Sequence, residues 1–579
     1  MPAPASSPSA ATRDLSWLGL MRLAPAHTAA TAAWAVAAAG VSLLLPAVSA
    51  HAVDQVLTNR APGLTLAALT GLLVSRVLAE AYGGLARVAA TTRVAASLRY
   101  RLLRHVFALG VPGLRRHVAG DLVTRLTGNA TTSASAVPAL VNGVVTVITS
   151  LGGLIALWLI DWRLGAVFLT GVVPAVLLLR LLMNQVTSRY GEYLERLGTI
   201  AGRLTDALSG SRTIRASGTT RREVGRVLAP LPDLARSGRG IWEVQRAVSW
   251  QVNLVLTGIR VLALAVAGFG VAGGRISPGD FLAAALYLTL ALGFLNQVDT
   301  LIYLADARAN ADRILEVLAE QPRVHAGRLR GLPAGPGALS FRRVSVRLCD
   351  QVVLDRVDLD LPAGAAVALV GKSGTGKTTL ALLAGRLLDP DEGEVLIDDV
   401  RVDALDPARL RREVAYAFDR PVLLGGTVRE ALSYGRPEAA AQEVERAARI
   451  AQAMDFIGRL PDGFDTPLAD APFSGGELQR LGLARAVAHG GRILVLDDAT
   501  SSLDTVTEAK VANALTDGLT GRTRLVIAHR ATTAARADLV AWLESGRIRA
   551  LASHHTLWAA EPDYRAVFAA EPGLDEEDA

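Results

Sequence analysis

Eight residues in the second half of the chain have the types and spacing of a loop that binds phosphate groups. Gly371-Lys-Ser-Gly-Thr-Gly-Lys-Thr378 fits the pattern G-x-x-x-x-G-K-S/T between an apolar run, Ala366–Val370, and a predicted helix. Glycines let backbone N–H groups surround a polyphosphate, and the helix N-terminus adds a favourable dipole. We predict that Lys377 reaches the β- and γ-phosphates of a nucleotide and that the Thr378 hydroxyl binds Mg²⁺. The predicted nucleotide-binding residues of this loop are Gly371, Lys372, Ser373, Gly374, Thr375, Gly376, Lys377 and Thr378.

Two acidic residues follow a second apolar run, Ile493–Leu496. Parallel sheets bind ligands at the carboxyl ends of their strands, so Asp497 is expected to hold Mg²⁺ through a water molecule. Asp498 stands directly after it. A strand that ends in acids is weak evidence by itself, because many ordinary strands end that way. Beside a phosphate loop, it predicts a site for ATP and Mg²⁺.

The segments that must position these residues alternate between short apolar runs and helical stretches. Continuous apolar strands between helices, such as Ala366–Val370 and Arg492–Leu496, are typical of a parallel sheet that is buried on both faces. A Pro/Gly-rich stretch, Gly331–Gly337, precedes them and has the composition of a linker. We therefore predict a linker at 322–338 and an α/β P-loop nucleotide-binding domain at 339–579.

The first half of the chain is much more apolar than the second. The whole chain has 51% hydrophobic and 20% charged residues, a mean hydropathy of +0.33 and a net charge of +6. This composition excludes a disordered chain, a collagen-like fibre and a small disulfide scaffold, and it does not indicate nucleic-acid binding. A helix of about 20 apolar residues can cross a bilayer. An α-helical transmembrane domain is predicted at 1–321, with six spans at about 27–50, 64–86, 136–160, 164–186, 247–272 and 281–301.

The charges of the loops predict the orientation of these spans. The connections after the second and fourth spans are long and rich in arginine, whereas the other three loops are short and carry few charges. Basic loops stay on the cytoplasmic side, so both termini are predicted to be cytoplasmic. A cleaved signal peptide is the competing interpretation of the first segment, but that segment is long and five more spans follow it. Apolar residues at helical spacing from Leu194 to Leu204 predict that the inner connections are helical extensions.

Three charged residues fall inside the predicted spans. Arg76 and Glu80 are one helical turn apart in the second span, and Arg260 is near the middle of the fifth. A charge at the bilayer centre costs about 2.5–3.5 kcal/mol by insertion scales, so it usually faces a partner or a cavity. In one interpretation, Arg76 pairs with Glu80, and Arg260 pairs with a carboxylate such as Asp299. In the other, Arg260 lines a pathway for an anionic substrate, and the sequence leaves both interpretations open.

Further motifs follow the phosphate loop in a fixed order. Phe473-Ser-Gly-Gly-Glu-Leu-Gln-Arg480 is followed by Ala499-Thr-Ser-Ser-Leu-Asp504 and by Ile527-Ala-His529. The set resembles the ATP-binding cassette (ABC) transporters, specifically half-transporters with the exporter-type fold, and the first motif resembles their signature sequence. In the first half of the chain, Gly120–Leu126 and Ala207–Ile214 resemble segments near the two coupling helices of that family. The resemblance covers nearly the whole chain.

The resemblance implies that two cassettes pack head to tail, with each ATP between the phosphate loop of one chain and the signature of the other. The implied partner is a second ABC half-transporter. Ser474, Gly475 and Gly476 open a predicted helix whose N–H groups can meet the γ-phosphate across the interface. The resemblance also implies that His529 contacts the γ-phosphate or the attacking water and that Asp498 occupies the position of the general base. The predicted signature residues, which serve the partner's ATP, are Ser474, Gly475, Gly476 and Glu477.

Three residues depart from the family pattern within one composite site. The family pattern has glutamate where Asp498 stands, glutamine where Asp419 stands, and an adenine-stacking aromatic residue where Leu348 stands. Asp498 is shorter by one methylene, so its carboxylate retreats by about 1.5 Å. A misplacement of about 1 Å can cost on the order of a hundredfold in rate. Asp419 is still predicted to bind the nucleotide and Mg²⁺ as a hard oxygen ligand, and Leu348 to give adenine an apolar contact.

These departures predict a site that binds ATP and hydrolyses it slowly; the alternative is neutral drift in a site that still turns over. The predicted catalytic residues are Asp498 and His529, and the predicted magnesium ligands are Thr378, Asp497 and Asp419. A slow site beside a sound signature favours a heterodimer with a more active partner, and a homodimer stays open.

The sequence thus predicts an exporter-type half-transporter embedded in the lipid of a bacterial cytoplasmic (cell) membrane. ATP binding and hydrolysis are expected to drive alternating access and to move an unknown small molecule, lipid or peptide outward. Two alternatives are an importer of metal-chelate ligands with the same fold and a non-transporting regulatory partner. The substrate cannot be derived from the sequence.

Overall fold

The computed structural model describes residues 17–568 apart from 115, 326, 328, 330, 349, 350 and 520. The side chains of 112, 178–190, 248, 249, 296, 298 and 299 also lie outside the description, so the pairing predicted between Arg260 and Asp299 falls on a residue whose side chain is not described. The chain divides into two units. One comprises Met1–Leu103 and Gly120–Ala319, and the other comprises Arg104–Ala119 and Glu320–Ala579.

Long helices form the first unit because its apolar runs exceed the length of a bilayer crossing. A left-handed residue, Gly110 (φ 65°), interrupts α3 near its end. A π-helical turn at Arg125–Asn129 precedes α5, and a 3₁₀ turn at Gly293–Asn296 lies between α10 and α11. The helices are α1 (Trp17–Arg22), α2 (Pro25–Leu57), α3 (Gly63–Leu114), α4 (Ala119–Thr124), α5 (Ala130–Ile160), α6 (Trp162–Ser209), α7 (Ser211–Ala216), α8 (Thr220–Leu228), α9 (Leu231–Ala272), α10 (Pro278–Leu292) and α11 (Gln297–Ala319).

All six predicted spans lie in helical segments. Over the described residues, five segments are long and apolar enough to cross a membrane. The fourth predicted span lies in α6, where the described apolar stretch, Trp162–Leu177, is shorter, so a count of six stays a prediction. The predicted helical extensions are present, since α3 continues to Leu114 and α6 to Ser209. The five segments are Pro25–Leu57, Gly63–Val111, Ala119–Ile160, Thr220–Ala272 and Pro278–Ala319.

Two aspartate side chains form hydrogen bonds at the ends of these helices. Asp161 alone separates α5 from α6, and its carboxylate caps α6 by accepting a hydrogen bond of 2.9 Å from the backbone N–H two residues on. Asp54 in α2 accepts hydrogen bonds from Ser277 Oγ (2.6 Å) and Gly279 N (2.8 Å) at the start of α10. A Cβ on Gly279 would lie 2.2 Å from the carbonyl oxygen of Ala50, so glycine permits this close approach.

One of the two ion pairs predicted inside the spans is present. Arg76 Nε lies 3.0 Å from Glu80 Oε1, one helical turn further along α3. Arg260 on α9 is exposed in the single chain, and none of the described residues forms an ion pair with it. The predicted Arg76–Glu80 pair is therefore confirmed, and the role of Arg260 stays open.

Strands and short helices alternate in the second unit, as its sequence predicts. The strands are β1 (Leu339–Leu348), β2 (Gln351–Leu361), β3 (Ala366–Val370), β4 (Glu392–Ile397), β5 (Val400–Arg401), β6 (Val414–Ala417), β7 (Ile493–Asp497), β8 (Thr523–Ile527), β9 (Leu539–Glu544) and β10 (Arg547–Ala552). The helices are α12 (Lys377–Ala384), α13 (Pro407–Glu413), α14 (Val428–Leu432), α15 (Ala441–Ile450), α16 (Met454–Ile457), α17 (Gly475–His489), α18 (Thr505–Gly518), α19 (Ala531–Ala535), α20 (His554–Ala560) and α21 (Pro562–Val567).

Two sheets organise the second unit. An antiparallel sheet has the order β2-β1-β4-β5, and a six-stranded sheet has the order β10-β9-β3-β8-β7-β6. All pairs of the larger sheet are parallel except β10 with β9. Strands β3 and β7 are buried along their whole length, as the sequence predicts for a sheet covered on both faces. The carboxyl ends of β3, β8, β7 and β6 consequently form one continuous edge.

The segment Arg104–Ala119 belongs to the second unit although its sequence continues a predicted span extension. His105 Nε2 lies 2.9 Å from the carbonyl oxygen of Glu320, and His117 Nε2 lies 3.0 Å from the Glu320 carboxylate. These contacts join residues about 200 positions apart. Local hydropathy contains no signal for them, which explains why the predicted division at 321 does not include this segment.

Candidate nucleotide-binding site

The phosphate loop joins β3 to α12. Gly376 has a φ of 103°, a conformation that L side chains rarely adopt, and α12 begins immediately after it. A Cβ on Gly371 would lie 2.3 Å from the carbonyl oxygen of Leu543 on β9, so the loop can pass the sheet only with glycine there. A glycine-rich loop that leads directly into a helix N-terminus suits a polyphosphate, because both present backbone N–H groups to an anion.

Lys377 is held inside the loop by the loop itself. Its side chain is 5% exposed, and Nζ donates hydrogen bonds to the carbonyl oxygens of Gly371 (2.7 Å) and Lys372 (2.9 Å). Burial lowers the pKa of the Lys377 ammonium group, and the nearby Asp498 and Asp497 carboxylates oppose this fall. A buried cation with only carbonyl partners gains most when an anion enters the loop, which is the role predicted for this residue.

The predicted magnesium ligands meet at the carboxyl end of β7. Thr378 Oγ1 donates a hydrogen bond of 3.1 Å to Asp497 Oδ1, and Asp497 is 6% exposed. Burial raises the pKa of the Asp497 carboxyl, the bond from Thr378 opposes the rise, and neighbouring Asp419 and Asp498 add to it. An adjacent hydroxyl and carboxylate fit Mg²⁺, which takes oxygen ligands and usually keeps several waters and phosphate oxygens.

The other predicted site residues of this crevice stand along the same sheet edge. Asp498 is half-buried with a left-handed φ of 53°, and its carboxylate has no hydrogen-bond partner among the described residues. His529 is exposed and follows β8, whose last residue, Ile527, pairs with Asp497. Asp419 is exposed and follows β6. The fold therefore places these three residues along one sheet edge, although the first and last of them, Asp419 and His529, are more than 100 positions apart in the sequence.

Leu348 is the last residue of β1, which belongs to the antiparallel sheet rather than to the six-stranded one. It is partly buried and packs against the main hydrophobic core of the second unit. The paired strand β2 reaches the phosphate loop, since a Cβ on Gly376 would lie 3.0 Å from Val353 O. The contact predicted between Leu348 and adenine stays a prediction.

The signature helix α17 begins where the sequence predicts. Ser474 is the N-cap, its Oγ accepts from Glu477 N (3.3 Å), and Glu477 Oε2 accepts from Ser474 N and Oγ at 2.8 Å each. The hydrogen bond from the Ser474 backbone lowers the pKa of the Glu477 carboxyl. The capping box satisfies the helix end within the chain, and Gly475 is exposed. The Ser474 hydroxyl thus donates its hydrogen bond to Glu477 of the same helical turn.

Two buried polar residues that the sequence analysis did not identify connect the elements of the crevice. Gln479 on α17 is 4% exposed, and its amide donates to the backbone oxygen of Asp419 and to Ser501 Oγ, both at 2.9 Å. Glu508 on α18 accepts hydrogen bonds from Thr500 (3.2 Å), Thr533 (3.0 Å) and Arg530.

Each of these residues links segments that flank the nucleotide site. Thr500 lies two positions after Asp498, and Arg530 lies directly after His529. A polar residue on a helix face that is otherwise apolar was the available signal, because buried polar groups are usually hydrogen-bonded.

Comparison with known proteins matches both halves of the chain. The model of the ABC transporter transmembrane region matches residues 30–295, and the ABC transporter model matches residues 354–501. The ABC transporter ATP-binding protein RamA of Streptomyces coelicolor is 45% identical over 82% of this chain and 74% of its own length. An ATP-dependent lipid A-core flippase of Chromohalobacter salexigens is 33% identical over 82% of this chain and 83% of its own.

The fold is also that of a solved transporter. The structure of a bacterial Atm1-family ABC exporter with ATP bound has a TM-score of 0.79, covers 98% of this chain and 100% of that chain, and is 23% identical in sequence. The extent of both sequence matches and the order of the two domains leave no other family. The chain belongs to the ABC transporters, as an exporter-type half-transporter in which a helical transmembrane domain precedes an ATP-hydrolysing cassette.

Proposed function

We propose that this half-transporter contributes a slow ATP site and an effective signature to a heterodimer that exports its substrate across the bacterial cell membrane. The transporter works as a dimer that couples ATP hydrolysis to transport. The observation that supports two unequal ATP sites is the set of residues at the carboxyl ends of β3 and β7. Lys377 is bonded inside the phosphate loop and Thr378 is bonded to Asp497, which supports binding of phosphate and Mg²⁺, whereas the residue after Asp497 is an aspartate.

The position of Asp498 supports slow hydrolysis. Its backbone is left-handed, a conformation that aspartate tolerates better than most side chains, and its carboxylate is free to bind water. The side chain is nevertheless one methylene shorter than glutamate, which moves the carboxylate back by about 1.5 Å. Hydrolysis needs a water in line with the leaving group, so this retreat slows the step in which that water is polarised.

Each residue then has one role in the cycle. Lys377 and the loop N–H groups bind the phosphates, and His529 stabilises charge on the γ-phosphate. Thr378 and Asp497 would hold Mg²⁺, which would supply positive charge next to the phosphate oxygens. ATP on this chain keeps the cassettes together, and hydrolysis at the partner's ATP, completed by this chain's signature, resets the transporter.

The membrane orientation completes the proposal. The arginine-rich connections after the second and fourth spans support a cytoplasmic position for both termini and for the cassette. The relatives named as lipid A-core flippases support an amphiphilic substrate that reaches the protein from the bilayer.

ATP turnover in lipid nanodiscs tests the asymmetry. The purified chain alone should bind ATP and hydrolyse it slowly. Turnover should rise when it is paired with a half-transporter that carries glutamate after its magnesium aspartate, for which a neighbouring reading frame is the first place to look. Rapid turnover by the chain alone, as a symmetric pair, would contradict the proposal. Transport into vesicles of defined sidedness tests the direction.

A further inference from the structure

A polar cavity lies between three helices of the transmembrane unit. Residues of α2, α3 and α5 enclose about 360 Å³, which is within the size range of small-molecule sites. Polar side chains from all three helices converge on it, although each helix is predominantly apolar. The polar and aromatic lining residues are Thr31, Trp34, Ser42, Glu80, Arg87, Asn142, Thr146 and Thr149.

The charges of this cavity do not balance. Glu80 is already paired, since Arg76 Nε lies 3.0 Å from its carboxylate. Arg87, two helical turns beyond Glu80 on the same face of α3, has no acidic partner among the described residues. Arg87 follows the end of the predicted second span, where a long arginine side chain can reach the membrane boundary, and it lines the cavity. The uncompensated charge that faces the cavity is therefore positive.

The hydrogen-bonding groups of the lining point to the same sign of ligand. Thr31 and Thr146 donate their hydroxyl hydrogens to carbonyl oxygens of their own helices, His27 O and Asn142 O, each at 2.9 Å. The Asn142 amide has no hydrogen-bond partner among the described residues. Thr149 Oγ1 likewise donates to Thr146 O at 2.9 Å. Among the described lining residues, the neutral donors that remain for a ligand are the Asn142 amide, the Ser42 hydroxyl and the Trp34 indole N–H. The charged donor that remains is the Arg87 guanidinium, which suits an anionic oxygen acceptor.

The remaining lining residues are four alanines, a glycine and a valine. Trp34 stacks on Tyr82 with ring centroids 5.3 Å apart, and alanines of α2 and α3 complete the wall. Arg87 stands one position after the end of the predicted second span, 64–86, at the side predicted to be cytoplasmic. A ligand that meets both surfaces has an anionic group at the inner boundary of the membrane and an apolar part inside it.

We propose that this cavity binds the anionic head group, a phosphate or carboxylate, of an amphiphilic substrate, with Arg87 as its principal ligand. The inference rests on the proposed transport function and adds a substrate class to it. Arg87 recognises the negative charge, Asn142 donates a second hydrogen bond, and Trp34 packs on the apolar part. The Arg76–Glu80 pair keeps the carboxylate from repelling the ligand.

Lipid retention measures this recognition directly. The full chain is placed in nanodiscs of equimolar phosphatidylglycerol and phosphatidylcholine, and native mass spectrometry counts the lipids that remain bound. Wild-type protein should retain phosphatidylglycerol selectively. R87A should lose that selectivity about tenfold, which corresponds to one charge-assisted hydrogen bond, and R87K should keep most of it. The matched control is R93A, which removes an exposed arginine of α3 that does not line the cavity.

Two further arms identify the source of the anion and separate the two proposals. Inorganic phosphate that displaces phosphatidylglycerol from wild type but has no effect on R87A would indicate a site for free anions and overturn the amphiphile assignment. Equal retention by wild type, R87A and R93A would overturn the cavity proposal. ATP turnover in the same nanodiscs, with the partner present, tests the transporter proposal separately, because retention needs no ATP.

Discussion

The phosphate loop and the signature helix are both helix N-termini suited to an anion, yet their polar groups find partners in different ways. Lys377 is 5% exposed and is fixed by two carbonyl oxygens of its own loop. Ser474 is exposed, and among the described residues its hydroxyl forms hydrogen bonds with Glu477 of the same helical turn. The hydrogen bonds of Lys377 are made within the phosphate loop, whereas the Ser474 hydroxyl is bonded to the carboxylate of its own helix end, where the proposed function requires the partner's phosphate to bind.

Because of this difference, we expect substitutions in the phosphate loop and in the signature helix to affect different measurable steps. Changes in the loop should affect ATP binding by this chain, because Lys377 and the loop glycines are predicted to contact the phosphates of its own ATP. Changes in the signature should leave that binding intact and affect turnover of the dimer. Changes at Asp498 and Asp497 form an intermediate case, since these residues are proposed to act in hydrolysis and magnesium binding rather than in contacts with the phosphates.

The largest effect is expected for K377A. Loss of the ammonium group removes charge-assisted hydrogen bonds of about 1.5–3 kcal/mol each from the phosphates, so ATP affinity should fall about a thousandfold. Equilibrium binding of a fluorescent ATP analogue to the full chain provides the measurement. K510A, which removes an exposed lysine of α18, is the matched control and should bind normally. A fall of less than about tenfold in K377A would mean that the loop holds phosphate mainly through its backbone.

S474A should separate the signature from the loop. Removal of one preorganised donor to a transition-state oxyanion costs about 100-fold or more, so turnover of the heterodimer should fall by that factor. ATP binding by this chain should stay within about twofold of wild type. Turnover that is unchanged in S474A would show that the active site of the dimer does not use this signature.

D498E tests whether side-chain length limits the slow site. Glutamate restores about 1.5 Å of reach, and hydrolysis by the chain should rise at least about tenfold. D498N keeps the length of aspartate without its charge and should not accelerate hydrolysis. If D498E fails to accelerate hydrolysis while ATP binding is retained, another departure, such as Asp419, limits the step.

E477Q should have a smaller effect at the signature. The substitution removes a negative charge at a helix N-terminus where the partner's phosphate must bind, and it weakens the hold on the Ser474 hydroxyl. Charges at helix ends are worth about 0.3–1 kcal/mol, so ATP-dependent pairing of the cassettes should strengthen about threefold. Cross-linking of the dimer against ATP concentration measures this shift. Weaker pairing would mean that the capping box stabilises the binding-competent helix end.

D497N should alter stability in a pH-dependent way. Burial raises the pKa of Asp497, so the folded protein disfavours the charged carboxylate, and this loss of stability is present at pH values above the raised pKa. D497N should therefore raise the melting temperature without nucleotide by about 2–4 °C near neutral pH and not below the ordinary pKa of aspartate. Added Mg²⁺ and ATP should stabilise wild type more than D497N. If D497N instead melted at a lower temperature near neutral pH, the charged Asp497 carboxylate would not be destabilising in the folded protein.

Much of the fold could be predicted because its signals are local. The phosphate loop, the helix that opens after Ser474 and the helical character of all predicted spans follow from glycine spacing, a capping box and runs of apolar residues. The count of six spans stays a prediction, since only part of the apolar stretch in α6 is described. The local pairing of Arg76 with Glu80 was also within reach of the sequence, because residues four apart share a helix face.

Other features could not be predicted because they join distant residues. The bonds from Gln479 to the Asp419 backbone, and from Arg530 to Glu508, depend on which helix packs on which strand. The hydrogen bonds between Ser474 and Glu477 are local, but their effect on ATP binding depends on the partner chain that packs against this helix.

The sequence by itself determined the chemistry available to this protein: a phosphate loop, a magnesium aspartate, a short base and a set of apolar spans. Only the tertiary structure decided that His529, Asp498 and Asp419 share one sheet edge, and that Glu80, Arg87 and Asn142 share one cavity. Spacing along the chain specifies which groups a turn or helix face presents, since backbone geometry is local. The order of strands and the packing of helices follow from burial of the whole apolar surface, which no short segment encodes.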